Sequence, residues 1–174
     1  MINSAELLWR NIITKGTRSN EHFKDQLCLQ PGASDEDFQL IETTMDITIP
    51  KEMKEFYKIY NGQEWKIGGE CFARNLTLSP IRKIIDDWLF LQEEFEPDDL
   101  EPEIDREIKP YLWNPRWIPI ADNGAGDYLC LDTDPSDVGR IGQVLYFWHD
   151  WGQRSVEAQS FFEFLQICLE EDDN

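Results

Sequence analysis

Histidine is nearly absent from this chain of 174 residues, with only His22 and His149, and basic residues are scarce, 16 against 35 acidic ones. Two isolated histidines leave little room for imidazole-based catalysis or a zinc site. A net charge of −19 makes DNA, RNA and anionic membranes poor partners, because each rewards clustered Lys and Arg. No apolar run approaches the roughly 18 residues of a membrane span, and the first twenty residues hold no signal-peptide core, so the chain is read as cytosolic. Cys28, Cys71, Cys130 and Cys168 lie far apart among apolar neighbours, with neither zinc-knuckle nor CxxC spacing. They are read as buried, reduced thiols.

What is present is apolar bulk. Hydrophobic residues make up 41% of the chain, with 7 Trp, 10 Phe and 5 Tyr, enough to offset the ordering entropy of one domain across residues 1–174. The acidity is regional. Residues 1–85 carry 12 acidic and 11 basic side chains, whereas residues 86–174 carry 23 and 5. From Asp86 to Glu107, 11 carboxylates face Arg106 alone, and Glu170, Glu171, Asp172 and Asp173 form a second cluster near the C-terminus.

Hydrophobic period and cap chemistry predict helices first. Ala5, Leu8, Trp9, Ile12 and Ile13 share one helical face after Asn3-Ser4, and Ser34 with Asp35, Glu36 and Asp37 opens a helix that turns Phe38, Ile41 and Met45 inward. Pro50 starts a third helix, as its first residue, that buries Met53, Phe56, Tyr57 and Tyr60 and stops at Asn61-Gly62. Trp65–Ala73 and Asn75–Leu78 are read as a hairpin around Gly68-Gly69. Ser79-Pro80 opens another helix with Ile81, Ile84, Ile85, Trp88, Leu89 and Phe95 inward and Asp86, Asp87 and Glu93 outward. Pro97, Pro102 and Pro110 then make residues 93–110 an exposed acidic loop.

The second half reads as sheet, with strands at 117–121, 127–132 and 141–148 separated by turn residues, and a last helix capped by Ser160 and Glu163. Helices, an antiparallel meander and a closing helix make the fold α+β, a single domain with a mostly antiparallel sheet flanked by helices. Trp117, Leu129, Leu131, Val144, Tyr146, Phe161 and Phe164 are expected in its core.

Several fragments imitate sites. His149-Asp150 lacks a GxSxG nucleophile elbow, and Gly124-Ala125-Gly126 lacks a following Lys-Ser/Thr pair and is followed by Asp127, which repels phosphate. The run from Asp132 to Asp137 suggests a calcium loop, yet the places that need Gly and Glu hold Asp137 and Gln143, so turn chemistry is favoured. Paired carboxylates for glycoside hydrolysis would need one buried member with a raised pKa, and no residue pattern singles one out. The expectation is no catalytic residue, no cofactor and no metal.

Distributed segments resemble a known family. Trp117-Ile-Pro119-Ile-Ala121, Gly126-Asp127-Tyr-Leu-Cys130-Leu131-Asp132-x-Asp134-Pro135, Gly142-Gln143-Val144 and Phe147-x-His149-Asp150 resemble the SUKH superfamily, of the Smi/Knr type. So do the stretch from Ile49-Pro50 to Asn61-Gly62 and Ser160-Phe161-x-Glu163-Phe164-Leu165, which extends the resemblance over roughly residues 34–170. It implies an α+β domain without a catalytic centre and one of two jobs. Bacterial relatives are immunity proteins that neutralise polymorphic toxins, and fungal relatives are regulators linked to cell-wall synthesis.

Charge favours the first job. A nuclease toxin is basic because it holds phosphates, so an acidic inhibitor can steer onto it and mimic its substrate. The expected partner is a cognate toxin with a basic effector domain, without direct binding of nucleic acid or membrane; the alternative is a Smi/Knr-type regulatory adaptor. The expected contact residues are Glu93, Glu94, Glu96, Asp98, Asp99, Glu101, Glu103 and Asp105, with Trp113 as the nearest aromatic anchor. The bland alternative for the same stretch is a solubilising loop.

Overall fold

The computed structural model describes residues 2–96 and 103–171. In α1 (Ala5–Ser19) the Ser4 hydroxyl accepts from the Leu7 amide at 3.3 Å, and Leu8, Trp9 and Ile12 turn inward. A short α2 (Phe23–Gln26) leads to β1 (Leu29–Pro31). A reciprocal capping box between Ser34 and Asp37 opens α3 (Asp35–Met45), and Phe38, Ile41 and Met45 are buried as their spacing predicts. Pro50 stands as the cap before α4 (Lys51–Ile59), one position earlier than expected.

α4 runs straight into β2 (Tyr60–Gln63), which pairs antiparallel with β1. Gly62 has φ 70° and lies so close to the Ser79–Pro80 backbone that an added Cβ would fall 2.5 Å from the Pro80 nitrogen. Asn61 uses its carbonyl oxygen to accept from the Ile81 amide at 2.9 Å, so it serves the start of α5 (Ile81–Glu94). The expected hairpin over 65–78 does not form. Its backbone is bonded elsewhere, Glu70 N–H to the Gln26 carbonyl at 2.9 Å and the Glu70 carbonyl to Gln63 Nε2 at 2.8 Å, which leaves a single Ala73–Leu76 bridge and a two-residue β3 (Thr77–Leu78).

The larger sheet is an antiparallel meander in the order β3, β4 (Trp117–Asp122), β5 (Tyr128–Asp132), β6 (Gln143–Phe147) and β7 (Val156–Ala158), and α6 (Phe161–Glu170) closes the described chain. Ser160 caps α6 by accepting from the Glu163 amide, while the Glu163 carboxylate accepts from the Gln159 amide.

Strand alternation sends side chains to two cores. Ile118, Ile120, Leu129, Leu131, Val144 and Tyr146 face the larger one, built with α1, α3, α4 and α6. Trp117, Tyr128, Cys130, Leu145 and Phe147 face a smaller one with Leu91, Ile108 and Trp113. A sheet covered on both faces explains why its strands read as unbroken apolar runs. All seven expected core residues are buried, Trp117 in the smaller cluster.

Two expectations need correction. Leu89 is 47% exposed, because beyond Ile85 the inward row of α5 continues through Trp88 and Leu91. The described parts of the acidic region are not a free loop either: α5 extends through Glu94, and residues 103–116 lie across the second face of the sheet with Ile108, Trp113 and Asn114 buried.

Candidate functional site

A cover without regular structure must have its backbone polar groups satisfied by other means. Here the first stretch pairs beside Arg154. Asp105 N–H donates to the Arg154 carbonyl at 2.9 Å, Arg154 N–H donates to the Glu103 carbonyl at 3.1 Å, and the Asp105 carboxylate accepts from the Val156 amide at 2.9 Å. Further along, the Arg106 carbonyl accepts from the Ser136 hydroxyl at 2.6 Å and the Glu107 carbonyl accepts from Gln143 Nε2 at 2.9 Å. Lys109 pairs with Asp134 at 2.6 Å, and Asn114 donates to the same carboxylate at 3.2 Å.

Arg154 holds this arrangement from below. Its fully buried guanidinium donates to the carbonyls of Trp151 at 2.5 Å, Gln153 at 2.8 Å and Leu112 at 2.9 Å, and it lies over the Phe147 ring at 4.6 Å. Among the described residues no carboxylate pairs with it, and its Nε has no hydrogen-bond partner. Burial pushes the group down to about 10, so it remains a cation at neutral pH. Carbonyl dipoles and an aromatic face therefore replace a counterion.

The acidic residues divide in consequence. Glu93 and Glu94 project from the last turn of α5, Glu96 follows exposed, and Glu103 and Asp105 are exposed along the pinned cover. Asp98, Asp99 and Glu101 lie outside the described residues. Trp113, expected as the nearest aromatic anchor, is only 1% exposed: its ring packs edge-on against Trp117 at 5.8 Å and Phe147 at 5.4 Å. With the Gln92 carboxamide oxygen facing the indoles, it accepts from Trp113 Nε1 at 2.7 Å. Trp113 is thus a core residue, and the exposed large apolar side chains among the described residues of this region are Leu89, Phe90 and Tyr111.

The other fragments resolve into structural work. Asp132 is buried, accepting from the Asp134 amide and from Gln143 Nε2, each at 2.9 Å; burial raises its pKa. One oxygen of Asp127 takes both the His149 amide at 3.0 Å and His149 Nδ1 at 2.8 Å, which clips the end of β6 to the β4–β5 turn. Partial burial raises Asp127, but hydrogen bonds from Asn123 and His149 outweigh it and leave this carboxyl below its ordinary range. The hydrogen bond to Asp127 in turn holds His149 above its ordinary value. Asp150 brings a third potential metal-ligating atom within 4.8 Å, although Asp127 and His149 already satisfy one another. All four cysteines are free thiols: Cys130 and Cys168 are buried, and Cys28 and Cys71 are half-buried rather than enclosed.

A cavity of about 440 Å³ opens between α1, the 69–74 stretch and α6. Arg74 closes part of its rim, bonded to the Glu171 carboxylate at 2.6 Å and the Tyr146 hydroxyl at 3.1 Å and stacked over Phe164 at 5.0 Å. Lys15 donates to the carbonyls of Cys168 at 3.0 Å and Glu171 at 2.6 Å. Lys15 complements the carbonyl end of α6 and Arg74 pairs with the carboxylate that follows it, stabilising roles that leave the acidic face as the better candidate for function. Among the described residues, no helix is long and apolar enough to cross a membrane.

The sequence is similar to known proteins. The chain is 25% identical over 191 residues to the cell wall biosynthesis/cell cycle regulator smi1 of Schizosaccharomyces pombe, an alignment covering 95% of this chain and 38% of the relative. It is 22% identical over 200 residues to the glucan synthesis regulatory protein of Neurospora crassa, covering 94% of this chain and 37% of that relative. A shorter match, 31% identical over 58 residues, links 33% of the chain to 12% of the cell wall assembly regulator SMI1 of Saccharomyces cerevisiae. The chain thus spans well under half the length of these curated relatives. A family model matches residues 32–167, from the end of β1 to the last turns of α6, and on that match the chain belongs to the SMI1 / KNR4 family (SUKH-1).

Proposed function

We infer that this chain is a non-enzymatic protein-binding domain that works as a regulatory adaptor of the Smi/Knr type, contacting a basic partner through its acidic face. The observation that carries this reading is kinship across nearly the whole chain with fungal proteins named as regulators of cell-wall and glucan synthesis. The division of labour on the second face supports it: buried groups fix the cover while Glu93, Glu94, Glu96 and Glu103 remain exposed. Exposed charge of one sign steers association and selects partners more than it stabilises the fold.

Neutralisation of a basic toxin, as by an immunity protein, is the second reading. It draws on the regional acidity of residues 86–174, which a regulator could use equally, and the relatives give it less support. A domain exchange tests the first reading. This chain would replace the matching segment of the fission yeast relative, and growth would be scored in the presence of a wall-digesting enzyme. Restored resistance is expected; a chimera that accumulates as folded protein yet behaves like a deletion overturns the regulatory reading.

A further inference from the structure

We propose that the outward face of α5 is a docking site for a Lys/Arg-rich amphipathic helix of a partner protein, with Leu89 and Phe90 as apolar anchors inside a ring of carboxylates. The proposal rests on the protein-binding reading above and deepens it by naming the contact surface and the partner's chemistry. Leu89 and Phe90 are 47% and 52% exposed and lie side by side on a helix of 14 residues. Asp86 stands three and four residues before them, Glu93 four and three residues after, and Glu94 one turn beyond Phe90, so helical spacing puts these carboxylates around the pair. Glu96 extends the acidic side past the end of the helix.

The platform is rigid. Trp88 Nε1 donates to the Pro115 carbonyl at 2.7 Å and Leu91 is buried, so the inner side of α5 is locked to the cover. Trp65, Ile67 and Ile141 are more exposed but sit in loops, and Leu7 on α1 and Leu40 on α3 are less exposed, at 38% and 39%. Docking on a prepared helix loses less conformational entropy than docking on a loop.

Electrostatics points to the sign of the partner. The last turn of α5 contains no basic residue, and Glu93 and Glu94 stand at the carbonyl end of the helix, where the macrodipole is already negative. Among the described residues, no cation pairs with Asp86, Glu93, Glu94 or Glu96, although Lys83 on the same helix binds Asp87 and Asp122. A cation from outside would relieve this repulsion. The chain's own residues 97–102 carry three carboxylates and no cation, and a second copy brings the same net charge of −19, so neither complements the patch.

Fluorescence anisotropy with the full chain and a labelled Lys/Leu amphipathic peptide tests the proposal, with a Lys/Ser peptide of equal charge as the control. Replacing both anchors, Leu89→Ser with Phe90→Ser, should weaken Lys/Leu peptide binding at least about tenfold and leave the Lys/Ser peptide unchanged. Asp86→Lys, Glu93→Lys and Glu94→Lys together should weaken both and flatten the salt dependence. Trp65→Ser with Ile67→Ser should alter neither. Thermal unfolding of each variant separates lost binding from lost folding, and Leu89→Ala with Phe90→Ala serves if the serine pair is unstable. Equal binding of the two peptides, dependence on Trp65 and Ile67, or self-association through Leu89 and Phe90 would each overturn the proposal. If the domain exchange fails while the peptide still maps to α5, the regulatory reading falls and the docking face stands. If the exchange succeeds and survives loss of both anchors, the docking face falls.

Discussion

The two faces of the five-stranded sheet are kept dry by different means. On the larger, regular helices satisfy their own backbones, so the interface can be almost wholly apolar, with Trp9 stacked on Phe56 at 4.2 Å and Phe56 edge-on to Phe161 at 5.1 Å. On the smaller, the cover is irregular and depends on side chains for its hydrogen bonds. Asn114, Asp132, Gln143 and Arg154, four of the six buried polar or charged residues found among those described, gather there. A face sealed in this way can carry exposed carboxylates in a fixed arrangement, which neither a buried helix nor an unanchored loop would do.

Breaking either face should be costly, for different reasons. Phe164→Ala removes a fully buried ring from the larger core and should cost about 3–5 kcal/mol in urea denaturation. Arg154→Ala leaves the carbonyls of Leu112, Trp151 and Gln153 without this donor and should cost about 2–4 kcal/mol. Arg154→Lys should recover little of that loss, because an ammonium cannot reproduce the planar fork that reaches several carbonyls at once. Near-wild-type stability of the lysine variant would mean that charge, and not geometry, holds the cover.

Smaller effects sharpen the division among the carboxylates. Asp105→Ala removes the acceptor of the Val156 amide and should cost about 1 kcal/mol. Glu93→Lys with Glu94→Lys should change stability by no more than about 0.5 kcal/mol, and toward stabilisation, since cations suit a helix C-terminus. Equal effects at Asp105 and at the glutamates would erase the distinction between anchoring and presenting carboxylates.

The His149–Asp127 clip gives a pH dependence with a definite sign. Because the folded-state pKa of His149 is raised, its contribution is fully present below the ordinary histidine value of about 6.5 and is lost as pH rises through the folded value. Melting temperatures measured upward from that value should fall more steeply in the wild type than in His149→Gln. Asp150 is the other carboxylate that favours the imidazolium, so Asp150→Asn should reduce the slope without removing it.

Most of this architecture was legible in sequence because periodicity and caps are local. The inward rows of α1, α3 and α6, and the alternation that sends Leu129 and Leu131 to one face and Cys130 to the other, need no tertiary information. The cover was not legible. Pro110 argues against a regular helix there, but a pinned irregular segment and a free loop look alike until Arg154 is placed beneath one of them. Arg154 is the sole basic residue after Arg140, a signal that could have marked it. Trp113 is illegible for the same reason: beside Pro115 it reads as a candidate anchor, whereas its indole closes the second core. Leu89 was misplaced by a choice the sequence leaves open, since Leu89 and Trp88 both continue the period from Ile85.

Native-state hydrogen exchange, read residue by residue, tests most directly whether the acidic stretch is an anchored cover. Amides bonded within it, those of Asp105, Ile108 and Arg154, should be protected to an extent approaching the amides of β5 and β6, and Arg154→Ala should lower that protection ahead of the sheet. Exchange of those three amides at the rate of an unstructured chain, while β5 and β6 stay protected, would contradict the account.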